Sequence, residues 1–103
     1  MSRIALGGKH VGETRSEVFD FTSRLGLAET ISSAVTTATV YSGTDAAPET
    51  VINGAASISG AQVTQSLKAG VVGVTYLVRC VATTSLGQVL ALGALLVIVP
   101  DSL

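Results

Sequence analysis

The 103-residue sequence predicts an all-β domain, a sandwich of about seven short antiparallel strands. Three observations predict it. Val74 to Ala82 alternates in the two-residue period of an extended chain. Thr30 to Tyr41 is dominated by Thr, Val and Ser, which suit a pleated surface better than a helix. Turn residues recur at short intervals, at Gly26, Gly43, Asn53-Gly54, Gly60, Gly70, Gly73 and Gly87.

Residues 1–12 mix Gly, Lys, His and Ser without a period and are expected to form a flexible N-terminal arm, with the sandwich over 13–103. In Ser16 to Thr22 the two phenylalanines of the chain, Phe19 and Phe21, fall on one side of a strand and are expected to anchor the core. Leu25-Gly26-Leu27 reads as a bend, and Thr30 to Tyr41 as a strand with a break near Ser33. Ser42 to Asp45 supplies a turn, and Pro48, which lacks a backbone donor, argues against a central strand there. Thr50 to Ile52 and Ala56 to Ile58 are read as short strands around an Asn53-Gly54 turn. Val63 and Leu67 share a face, and Lys68 to Gly73 forms a loop.

In the best-defined strand Val74, Tyr76, Val78 and Cys80 line the inward face, and Thr84 to Gly87 forms a hairpin connection. Gln88 to Val99 is then almost wholly apolar. Its Leu and Ala content admits a buried helix. Val97-Ile98-Val99, Gly93 and the hairpin context favour a strand. Tyr76, two places before another inward residue at the start of a late strand, resembles the tyrosine corner of immunoglobulin-like sandwiches.

A strand apolar on both faces needs cover on both. The final strand is therefore expected to carry a protein interface. Leu90, Leu92, Leu96 and Ile98 are the candidate set, and the opposite face is the alternative. An uncovered greasy strand invites aggregation, so a homo-oligomer is expected.

Charged residues make up 13% of the chain against about 25% in an ordinary domain, and the six Lys and Arg are scattered. Nucleic-acid binding needs concentrated positive charge, so none is expected. The eleven residues Val89–Val99 are too short for a spanning helix, which needs about 20, and the N-terminus lacks a signal-peptide core. No membrane association is expected, and synthesis is expected in the cytoplasm.

The chemistry-bearing residues are sparse. One cysteine excludes an intrachain disulfide, and Cys80 is expected to be an inert core thiol. His10 falls in the expected arm, exposed and idle. One Cys and one His offer no dense ligand set for zinc. Asp45 and Glu49, a pair of carboxylates that flank a proline loop, are expected to be solvated, and Asp20 on an outer face. No catalytic residue, cofactor or metal is expected, and the chain is not read as an enzyme.

Four segments carry a family likeness: Phe19-Asp20-Phe21-Thr22; Leu27 to Ser33; Val71-Val72-Gly73-Val74-Thr75-Tyr76-Leu77-Val78; and Thr83 to Gln88. Together they resemble the small immunoglobulin-like fiber-tail adaptor proteins of tailed bacteriophages, over residues 15–99. The chain departs from the family in having Phe21 where tryptophan is common, and in its apolar final strand. The resemblance implies an immunoglobulin-like fold and a non-catalytic virion protein that joins tail to receptor-binding fibers, with tail and fiber proteins as partners. A capsid decoration protein and a host-glycan-binding module are the alternatives.

Overall fold

Alternating burial shapes the chain into two sheets packed face to face. The computed structural model describes residues 2–5 and 9–100. Among them run eight strands: β1 (Ser2–Ala5), β2 (Lys9–His10), β3 (Arg15–Asp20), β4 (Ile31–Ser42), β5 (Ser57–Ser59), β6 (Gln62–Leu67), β7 (Thr75–Thr84) and β8 (Val89–Val99). The larger sheet has the order β1-β8-β7-β4, with β2 also on β8. The smaller has the order β3-β6-β5. The result is an all-β sandwich. From β3 onward every strand pair is antiparallel.

Period-two patterning is cleanest in β7. Tyr76, Val78, Cys80, Ala82 and Thr84 are buried there while their neighbours are partly or fully exposed. Across the sandwich β6 buries Val63, Gln65 and Leu67. Phe19 and Phe21 fill the space between, each at most 1% exposed. With no tryptophan in the chain, these two rings and Tyr76 supply the large aromatic area around which the small aliphatic residues pack. The final segment is a strand, not a helix. Val89 to Val97 pairs residue for residue with Thr83 to Thr75.

Three local features differ from the sequence expectation. Pro48, Glu49, Thr50 and Val51 form a 3-10 turn, with Pro48 in the first turn where its missing N–H costs nothing. That turn rolls Val51 into the core at 0% exposure. Ile52 keeps only a single bridge to Leu67, so no Asn53-Gly54 hairpin forms. Instead the Asn53 backbone and side-chain amides donate to Ser66, at 2.9 and 3.0 Å. The tight hairpin lies one step later, through Gly60-Ala61 between β5 and β6.

Within the segment expected to be an arm, β1 and β2 pair in parallel with β8. Met1 and residues 6–8 of that segment lie outside the described residues. The anticipated irregularity near Ser33 is a register shift between Ile31 and Ser33 in the β4–β7 ladder.

Candidate protein interface

The sandwich has two tied ends. At one, the β7–β8 turn is bound to the start of β4. Glu29 is buried, and its carboxylate accepts the Gly26 N–H at 2.8 Å and the Thr84 hydroxyl. Thr84 Oγ1 in turn accepts the backbone N–H groups of Leu86 and Gln88. Ser85 N–H donates to the Thr30 carbonyl at 2.7 Å, and Thr30 N–H to the Ser85 hydroxyl at 3.0 Å. The hydrogen bonds from Gly26 and Thr84 hold the Glu29 carboxyl below its ordinary pKa against the opposing effect of burial.

At the other end side chains from β2 and β7 hold the 68–73 loop. The Tyr76 hydroxyl accepts Val71 N–H at 2.9 Å and donates to Asp45 Oδ2 at 2.6 Å. Asp45 Oδ1 accepts Ala47 N–H. Asp45 is thus a partner of the core tyrosine and not simply part of a solvated loop. Its pKa is lowered by the Tyr76 hydroxyl first and Ala47 second. That of Tyr76 is raised, chiefly by burial. Lys9, buried to 0% exposure, reaches the carbonyls of His10 and Ala69, both at 2.8 Å. Nothing in the sequence marked Lys9 as interior, because lysine is so seldom buried.

These shifts set a pH response. Stabilisation from the lowered carboxyls of Glu29 and Asp45 is complete above the ordinary carboxylate range and is lost as pH falls through their folded values. The Asp20 carboxyl, held down mainly by the Thr22 hydroxyl and N–H, adds in the same direction. Glu17, raised by burial, opposes them in part. Tyr76 acts at the other extreme, its contribution disappearing as pH rises beyond about 10. Melting temperature is therefore expected to be flat near neutrality and to fall below about pH 4 and above about pH 10. Asp45→Asn should flatten the acid limb in a differential scanning calorimetry series.

The remaining chemistry-bearing residues are dispersed. Cys80 is fully buried; desolvation pushes its thiol up, opposed by the Thr36 hydroxyl beside it. That hydroxyl makes no hydrogen bond of normal geometry with a described atom. It lines a shallow pocket of about 280 Å³ between β4, the 54–56 loop and Gln65. His10 stands at the end of β2 with Nδ1 3.5 Å from Glu13. Among the described residues no three His, Cys, Asp or Glu side chains gather as a metal site. No helix among the described residues is long and apolar enough to cross a membrane.

The residues expected in the core, Phe19, Phe21, Val74, Tyr76, Val78 and Cys80, are all buried, none more than 3% exposed. The residues proposed for the interface require a correction. Leu92, Leu96 and Ile98 are 6%, 1% and 2% exposed, and Leu90 packs half-buried against the same core. Pairing explains this, since Leu92 lies opposite Cys80 and Leu96 opposite Tyr76 and each shares its partner's inward face. The outward set is Val89, Ala91, Leu95 and Val97, with Val89 67% and Val97 39% exposed.

Both faces of β8 are therefore apolar, one inside the sandwich and one outside. The fold defines a small β-sandwich module in which the outward residues of β4, β7 and β8 include a single charged one, Arg79. A family model described as podophage GP4 fiber-tail adaptor protein gp77 matches residues 9–96, and the chain belongs to that family. It is a phage structural protein of the fiber-tail adaptor kind, a component of the virion. No curated protein and no solved structure matches the chain.

Proposed function

We propose that this chain is a non-catalytic adaptor that joins the tail of a podophage to its receptor-binding fibers. The family match over residues 9–96 carries the reading. The structure is compatible in chemistry: a tied, rigid sandwich with its polar groups engaged in holding loops. Copies are proposed to form a closed ring following the tail's symmetry, after synthesis in the host cytoplasm. The partners are the tail and fiber proteins, with no role for nucleic acid or membrane.

We further read the sandwich as immunoglobulin-like. With β3 taken as strand B, the two sheets follow the orders B-E-D and C-F-G, and the N-terminal strands lie along G. Tyr76, near the start of the F-equivalent strand with its hydroxyl on Val71 N–H five residues upstream, has the geometry of a tyrosine corner.

Deletion of the gene in the parent phage tests the function. Particles are expected to assemble with filled heads and tails but without fibers, and to recover fibers when the protein is supplied in trans. Fibered, infectious particles from the deletion strain would contradict the proposal.

A further inference from the structure

The larger sheet ends on an edge that lacks the usual protection. β4 has 12 residues and is hydrogen-bonded on one side only, to β7. Among the described residues no backbone bond from Ile31 to Val40 leads anywhere else. Edge strands are ordinarily blunted by charge, proline, brevity or a covering segment. β4 holds no charged residue, proline or glycine. By contrast β3, an edge of the smaller sheet, carries Arg15, Glu17 and Asp20.

The interior beside this edge is open as well. Ala34, Thr36 and Val40 lie opposite Ala82, Cys80 and Tyr76 and share their inward face. The three β7 residues are fully buried, whereas their β4 neighbours are only half-buried. The pocket between β4 and the 54–56 loop lies on this flank, walled by Ala34, Ala55, Ala56 and Gln65. In it the Thr36 hydroxyl oxygen is buried without a hydrogen bond of normal geometry to any described atom. A strand added to β4 would satisfy the free backbone row and turn an inward side chain toward that pocket.

The dimensions and symmetry of the fold indicate whose strand this is. The other edge strands of the described chain, β1, β2, β3 and β5, have 4, 2, 6 and 3 residues, too few to cover the 12 of β4. β4 against β4 matches in length but needs a two-fold axis between neighbours, and copies in a ring about a tail axis meet head to tail. We infer that the open edge of β4 receives an extended, uncharged segment of a different virion protein, with a hydroxyl- or amide-bearing side chain facing Thr36. This rests on the adaptor reading and specifies the contact by which the module holds a neighbour.

The test begins with phage particles. The chain is supplied in trans to the deletion strain with photo-crosslinking p-benzoylphenylalanine in place of Val35, Thr37 or Thr39, all exposed, and the crosslinked peptides are mapped by mass spectrometry. All three positions are expected to reach one short segment of a second virion protein. The contact should move two residues along that segment for every two along β4, as paired strands require. A synthetic peptide of the mapped segment should then bind the purified full-length chain. Thr36→Lys, which puts a charge at the pocket, should weaken that binding by about tenfold or more. Thr36→Val, which removes the hydroxyl, should weaken it by about fivefold. The same variant should melt no lower than wild type, because in the free chain the hydroxyl has no hydrogen bond of normal geometry to lose.

Crosslinks confined to other copies of this chain would overturn the inference. So would crosslinks scattered over the second protein without register, or none from particles that contain the chain. Thr36→Val binding the peptide as tightly as wild type would also overturn it. Absence of the wild-type chain from particles would instead overturn the adaptor reading on which the inference stands.

Discussion

Tyr76→Ala is expected to cost about 4 kcal/mol or more, enough to leave a domain of this size largely unfolded at physiological temperature. Two losses combine. The ring is 0% exposed and packs at the centre of the aliphatic core, so truncation opens a cavity that neighbours fill only in part. The hydroxyl is the shared partner of Val71 N–H and Asp45, and its removal leaves a loop amide and a carboxylate oxygen without it. Tyr76→Phe separates the two contributions, keeping the ring and losing the bridge, and should cost about 1–3 kcal/mol in urea unfolding. It should also remove much of the alkaline limb of the stability profile, since the titrating phenol is gone. A Tyr76→Phe variant as stable as the parent would show that Lys9, the backbone bonds of Lys68 and Gly73 to Val51 and Ile98, and packing hold the 68–73 loop without the hydroxyl.

Gly70→Ala is expected to destabilise by about 2–4 kcal/mol although it adds one methyl group to a loop. Gly70 has φ +98, a backbone conformation that side chains rarely adopt. A Cβ there would also stand 2.6 Å from both Cδ1 and Cγ1 of Ile98, and 3.5 Å from the Tyr76 ring. Ile98 is itself 2% exposed and cannot withdraw outward. The two costs separate in a double-mutant cycle. In an Ile98→Ala background the clash is relieved and only the backbone strain remains, so Gly70→Ala should cost roughly half as much there. Equal costs in both backgrounds would place the whole effect in the backbone and deny the close approach of loop and final strand.

The inner architecture was legible because its signals were local and periodic. β7 alternates so regularly that inward Tyr76, Val78 and Cys80 follow from parity, and two phenylalanines at i and i+2 have one arrangement in an extended chain. The final strand was legible as a strand but not in which face it turned inward. Every side chain from Val89 to Val99 is apolar or glycine, so hydropathy gives no parity. The missing signal was the hairpin. A turn through Ser85 to Gln88 sets Leu92 beside Cys80 and Leu96 beside Tyr76, which assigns Leu92, Leu96 and Ile98 to the core.

Other residues were missed because tertiary partners overrode local expectation. Lys9 and Asp45 read as solvent residues by type, and their roles depend on Ala69 and Tyr76, 60 and 31 positions away. Thr50-Val51 reads as a strand by propensity, yet Pro48 starts a turn that places Val51 in the core. Two segments behind the family resemblance, Glu29-Thr30 and Thr83 to Gln88, meet in space at the Glu29–Thr84 clamp. A third, Val71 to Val78, contains Tyr76 and the loop that its hydroxyl holds.

Cryo-electron microscopy of the parent particle addresses the central claim most directly. The account predicts this sandwich in symmetric copies between tail and fiber. Density placing the chain on the capsid shell, or away from the junction of tail and fiber, would contradict it.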